Sequence, residues 1–101
     1  MKVIEVSENN FNDIISNEER VLIDFNATWC GPCRMLKPIL EEYSNNTSIK
    51  VCSCNVDDNP KLAAKYNIYS IPCLIILEKG KEIKRNVGFV NLEELKEFVN
   101  E

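Results

Sequence analysis

The apolar positions of this chain change period several times, and each change marks an element. Residues 2–6, "KVIEV", alternate apolar and polar side chains, which predicts a short strand with one buried face. Ser7 can cap a helix behind it, in which Phe11, Ile14 and Ile15 fall at i, i+3 and i+4. "VLIDF" (21–25) is apolar at both parities except at Asp24, the pattern of a central strand covered on both faces. From Pro32 to about Tyr43, the side chains Met35, Leu36, Ile39, Leu40 and Tyr43 keep helical spacing. Pro38 lies inside that helix and is expected to kink it, because proline removes a backbone donor.

"IKVCSCNV" (49–56) predicts the next strand, and Asn59-Pro60 places an N-cap before a proline at the first helical position. The short helix so opened runs to about Tyr66. "CLIILE" (73–78) and "KEIKRNV" (81–87) flank Lys79-Gly80 as an antiparallel hairpin. Asn91 and Glu94 have capping-box spacing and open a last helix with Leu92, Leu95, Phe98 and Val99 as its apolar stripe. The order β-α-β-α-β-α-β-β-α predicts an α/β chain, with a central mixed β-sheet flanked by helices on both faces. No repeat, low-complexity tract or linker interrupts it, so residues 1–101 are expected to form a single domain.

Composition narrows the function classes. A chain of 101 residues, 45% of them hydrophobic, can build a core without staples and reads as a soluble globular protein. A net charge of −4 and the lack of a basic stripe argue against nucleic acid as a partner. No apolar run has the length of a membrane span, and "MKVIEVSENN" lacks the apolar core of a signal peptide. The expected location is cytoplasmic. There are five cysteines and no histidine. The odd count prevents complete pairing within the chain, and the missing imidazole excludes Cys-His and Ser-His-Asp catalysis.

The candidate chemistry therefore lies in "DFNATWCGPCRML" (24–36), where Cys30 and Cys33 are separated only by Gly31 and Pro32. Cys30 falls in a strand-to-helix turn and Cys33 one turn into the helix. Unpaired N–H groups and the partial positive charge of a helix start stabilise a thiolate, so Cys30 is expected to be the nucleophile. Pro32 suits the first helical position, and Gly31 lets the chain turn without a side chain blocking approach. Two other readings stand beside a redox couple. Cys30, Cys33, Cys52 and Cys54 formally supply four thiolates for zinc or an iron–sulfur cluster, although Cys52 and Cys54 sit at i, i+2 on a strand. A Cys30–Cys33 bridge could also be a structural staple, although its loop is too short to add much stability. Asp24 interrupts an apolar run, and a buried carboxyl there would have a raised pKa and could take the proton that Cys33 must lose.

"WCGPC", with "VLIDFNA" upstream and Pro38, "NVDDNP", "YNIYSIP" and "VGF" downstream, resembles the thioredoxin family in order and spacing over residues 1–101. That resemblance implies the thioredoxin fold and a thiol–disulfide oxidoreductase that reduces disulfides of target proteins. It implies Cys30 as nucleophile, Cys33 as resolving cysteine and Asp24 as the buried acid beneath it. The redox group would be the Cys30–Cys33 disulfide, with no bound cofactor and no metal. The expected partners are disulfide-containing proteins and a flavoprotein thioredoxin reductase, and the expected state is a monomer. Pro72 would be a cis-proline facing the disulfide, leaving the backbone of Ile71 to pair with an extended substrate segment. Trp29, Gly31, Pro32, Ile71, Pro72, Val87, Gly88 and Phe89 would form the docking surface. The chain departs from the common family pattern at four places. Asn26 stands for a frequent Trp, Ser53 for a frequent Lys, Cys73 for the usual Thr, and Phe89 for a small residue. Cys73 could then be a third thiol near the active pair, whereas Cys52 and Cys54 are expected in the core.

Overall fold

The alternating run at the N-terminus and the doubly apolar runs after it are satisfied together by one five-stranded sheet. The computed structural model describes residues 3–16 and 19–100; Lys2, expected to open the first strand, lies outside them. The elements are β1 (Val3–Glu5), α1 (Phe11–Ser16), β2 (Arg20–Asn26), α2 (Gly31–Ser44) and β3 (Lys50–Asn55). They continue with α3 (Pro60–Lys65), β4 (Cys73–Glu78), β5 (Lys81–Val87) and α4 (Leu92–Val99). The strand order is β1-β3-β2-β4-β5. β3 runs parallel to β1 and β2, whereas β4 runs antiparallel to β2 and β5. The parallel pairs require helical crossovers, and the hairpin requires only a tight turn. Lys79 (φ 51°) and Gly80 (φ 84°) make that turn in the left-handed region, which a two-residue loop matched to the strand twist demands at both positions.

The pleat divides the side chains into two cores. Ile23, Phe25, Cys52, Cys54, Ile75 and Leu77 face α1 and α3, where Phe11, Ile15, Leu62 and Tyr66 complete the cluster. Leu22, Val51, Leu74 and Ile76 face α2 and α4 and meet Leu36, Leu40, Leu95 and Val99. Each such side chain contributes roughly 1.5–3 kcal/mol of transfer free energy. The mixed sheet with helices on both faces is thus as the periodicity predicts.

Local chemistry corrects two expectations. Ser7 does not cap α1: its hydroxyl accepts from Asn9 N, in a turn that precedes the helix. Asn59 occupies the N-cap position of α3 but makes no side-chain cap bond. Its carboxamide instead accepts from Glu8 N and donates to Asn55 O, tying the β1–α1 loop to the end of β3. The Glu8 carboxylate in turn accepts from Lys61 N at 2.6 Å, so α3 is capped from a distant segment. Met35 has helical spacing with the α2 core positions, yet it is exposed. Pro38 lies inside α2, which runs through it as one element without the donor that would have served Arg34 O.

The capping box of α4 forms as expected, with Glu94 N donating to Asn91 Oδ1 at 2.8 Å and Asn91 N to Glu94 Oε1 at 2.9 Å. Asn91→Ala should therefore lower the unfolding free energy by about 1 kcal/mol without changing the dependence on denaturant concentration. Urea titration checks this; an unchanged midpoint would mean that the box adds nothing to stability.

Candidate active site

Four residues separate the end of β2 from the start of α2, and the two cysteines lie at that junction. Cys30 is the N-cap of α2 and is extended (φ −93°, ψ 113°), so its side chain turns back over the first turn. Cys33 N donates to Cys30 Sγ at 3.2 Å, and the two sulfurs are joined as a disulfide. The structure is thus the oxidised state. On reduction, the same N–H and the positive end of α2 would face a Cys30 thiolate. Pro32 sits in the first turn, where its missing N–H costs nothing. Gly31 opens the helix without a positive φ, and a Cβ there would meet only Arg34 Nη2 at 4.0 Å. The turn therefore does not need glycine, which corrects half of the expectation for Gly31; what glycine leaves is open space beside the disulfide.

Asp24 lies on the face of β2 that looks toward α2, in the same parity as Leu22, and only 3% of it is exposed. Asp24 and Cys33 line one cleft of about 510 Å³ together with Asn26, Ser53 and Lys37. Burial pushes the Asp24 carboxyl up from 3.8 to about 7; a hydrogen bond from Asn26 opposes the shift and the charge of Glu5 adds to it. Oδ1 of Asp24 is buried and has no hydrogen-bond partner among the described residues, while Asn26 Nδ2 donates to Oδ2 at 3.2 Å.

On the other side of the disulfide is an apolar surface. The Ile71–Pro72 peptide bond is cis, and the carbonyl oxygen of Ile71 lies 3.8 Å from Cys30 Sγ. Gly88 N donates to Pro72 O at 2.8 Å, which ties the end of β5 to this loop. Gly88 adopts φ +105°, a conformation that side-chain-bearing residues rarely take. Trp29 is 67% exposed, and its indole N–H donates to Asp57 Oδ2 at 2.8 Å. Val87 and Phe89 are also exposed, so neither they nor Trp29 belong to the core. Tyr69, 90% exposed, and Met35 belong to the exposed apolar set as well. Sequence spacing did not single them out for such a surface; for Tyr69 the available signal was an aromatic ring in a short loop outside any apolar pattern.

The remaining cysteines lie elsewhere. Ala27, Cys30 and Cys33 form their own small cluster beneath Val56 and Ile71, whereas Cys52, Cys54 and Cys73 are buried on the α1/α3 side of the sheet. The four thiolates required for a zinc site do not converge, and among the described residues no three His, Cys, Asp or Glu side chains form a metal-binding group. Cys73 packs within the α1/α3 core as a buried strand residue, whereas Cys30 and Cys33 form a separate cluster. Cys54 and Cys73 both pair with Phe25, from opposite edges of β2, so a full strand separates them. Burial raises both thiols, Cys54 to about 12.

The family model for thioredoxin matches residues 2–101. The chain belongs to the thioredoxin family. It is 41% identical over 101 residues to thioredoxin of Staphylococcus saprophyticus, covering 98% of this chain and 96% of that protein. It is 43% identical over 105 residues to thioredoxin of Porphyra purpurea, covering 99% and 96%. A solved mutant thioredoxin from Halobacterium salinarum superposes with a TM-score of 0.92 at 32% identity, covering 98% of this chain and 88% of that one. With the cysteine pair joined at the start of α2, this thioredoxin-family member is a protein-disulfide oxidoreductase that works by dithiol–disulfide exchange. Its redox group is the disulfide itself.

The raised Asp24 carboxyl has a consequence for stability. Because its folded pKa exceeds its ordinary value, the folded state holds the proton more tightly than the unfolded chain. The associated stability is fully present below about pH 4 and is lost as the pH rises through about 7. Asp24→Asn should remove that loss, making the oxidised variant more stable than the parent by on the order of 4 kcal/mol above pH 8, with the difference shrinking toward pH 4. Chemical denaturation across this range checks it; a difference independent of pH would show that Asp24 is not buried as a carboxylate.

Proposed function

We propose that the protein is a reductant of disulfides in other proteins, with Cys30 as the attacking thiol and Cys33 as the resolving one. The observation that carries this assignment of roles is Cys33 N donating to Cys30 Sγ at the N-terminus of α2. Only Cys30 receives that donor, so in the dithiol state it is the sulfur on which negative charge is stabilised. Its thiolate attacks one sulfur of a target disulfide, forming a mixed disulfide and expelling the other sulfur as a thiolate. Cys33 then gives its proton to Asp24, attacks Cys30 Sγ and releases the second target thiolate. Two electrons pass to the target, and the enzyme is left as the Cys30–Cys33 disulfide seen here.

Asp24 is the proton acceptor in this reading because it shares the cleft with Cys33 and has a carboxyl that titrates near neutrality. Trp29, Gly31, Pro32, Ile71, Pro72, Val87 and Gly88 form the surface on which an extended target segment lies, and the Ile71 backbone is its pairing edge. A thioredoxin reductase of the flavoprotein class restores the dithiol, and the protein acts as a monomeric domain in the cytoplasm. Family membership supports disulfide-containing targets in general. Among the described residues no helix is long and apolar enough to cross a membrane.

One kinetic series tests the roles. The parent should reduce insulin disulfides with a dithiol as electron source, and Cys30→Ser should abolish that turnover. Cys33→Ser should retain first attack and accumulate a stable mixed disulfide on Cys30. Asp24→Asn should slow release of the second target thiol at least about ten-fold at pH 7 while leaving first attack nearly unchanged. Mixed disulfide on Cys33 in a Cys30→Ser variant at the parental rate would reverse the assignment.

A further inference from the structure

Three polar side chains that line the cleft with Cys33 are joined by hydrogen bonds. Asp24 and Asn26 stand two residues apart on β2 and so project to the same face, and Asp24 is paired across the ladder with Ser53 of β3. Asn26 Nδ2 donates to Ser53 Oγ at 2.8 Å and to Asp24 Oδ2 at 3.2 Å, and lies 3.0 Å from Asp24 O. All three neighbours of that nitrogen are oxygens that accept, which fixes the orientation of the amide. The lone pair of Oδ2 that faces an N–H cannot hold a proton. Oδ1 has no hydrogen-bond partner among the described residues, so both of its lone pairs are open to a proton, and Asp24 and Cys33 line the same cleft.

We propose that Asn26, held in place by Ser53, is a positioning residue that orients the Asp24 carboxyl so that the proton leaving Cys33 is received at Oδ1. The proposal rests on Asp24 being the acceptor in the resolving step. The donor from Asn26 is neutral, so it favours the carboxylate without adding a fixed positive charge beside the thiol. The charged groups that share the cleft are Glu5 from β1, Arg34, Lys37 and Glu41 from α2, and Asp58 from the loop after β3. Cys54 and Cys73, on the opposite face of the sheet, sense the Asp24 charge as well, but burial keeps both protonated near neutral pH. Removing the Asn26 donor takes away a stabilising contact from the ionised form, so Asp24 should hold its proton to higher pH.

The test follows Asp24 itself and the step that it serves. The carboxyl carbon of Asp24 is titrated by NMR in the intact protein. In parallel, release of the second aryl thiol from a chromogenic aryl disulfide is timed by stopped flow from pH 5 to 9. Asn26→Ala should raise the Asp24 midpoint by about one pH unit and move the acid limb of the second phase by the same amount. At pH 7 this slows that phase about five-fold, with the first phase unchanged. Ser53→Ala should shift both readouts in the same direction by less. An unmoved Asp24 midpoint in Asn26→Ala overturns the role of Asn26. Asp24→Asn serves as the separate control: if it leaves the acid limb of the second phase intact, the proton-acceptor reading of Asp24 fails instead.

Discussion

β2 has a neighbour on every side, and that enclosure governs the rest of the molecule. β3 pairs with it in parallel and β4 antiparallel, while a helical layer covers each face. No residue of its interior can reach water by a small shift, so the strand has one register and alternate side chains have fixed destinations. Leu22, Asp24 and Asn26 go to the α2 side, and Val21, Ile23 and Phe25 to the α1 side. Where β2 stops, Ala27 and Cys30 are already under cover, and α2 starts with its N-terminus at the disulfide. A strand able to slip by one residue would turn Asp24 away from Cys33 and Phe25 into its place.

In the proposed mechanism the same enclosure makes Asp24 chemically useful. A carboxyl on a solvated strand would be ionised throughout the neutral range and a poor proton acceptor for a thiol. Enclosure raises its affinity for a proton, and the Asn26 amide limits how far it rises. On the other side of the disulfide the requirement is reversed. Trp29, Val87 and Phe89 remain on the surface, where a target segment can cover them. The disulfide thus separates a polar enclosed cleft from an apolar open face, which is the asymmetry that a two-step exchange needs. The first step needs access to one sulfur; the second needs a route for one proton.

Much of this was legible in the sequence because the decisive signals are short-range. The doubly apolar run at 21–25 could only be an interior strand, and the alternation and helix spacings around it left few ways to arrange a mixed sheet. The hairpin at Lys79-Gly80 and the capping box at Asn91 are local chemistry and formed as the spacing predicts. What was not legible depends on contacts between distant segments. Nothing in residues 53–61 indicates that Glu8 would cap α3 and release Asn59 for another task. Met35 keeps the helical spacing of α2 yet is exposed, because spacing alone does not fix which part of a helix meets the sheet. Asn26 and Ser53 stood out only as departures from a family pattern, although the parity of Asn26 with Asp24 placed both on one face. That they form one polar unit required the β2–β3 register. Cys73 follows the cis bond in sequence, and the pleat places its side chain in the α1/α3 core.

In the proposed function the Cys30–Cys33 couple gives electrons to other disulfides. Its most direct measure is the equilibrium reduction potential of that couple, obtained by redox titration of the whole protein against glutathione at pH 7. A reductant of other disulfides should have a potential at or below the cytosolic glutathione pool, about −220 to −260 mV by extraction. A value well above that pool, near the roughly −120 mV of strongly oxidising enzymes, would contradict it.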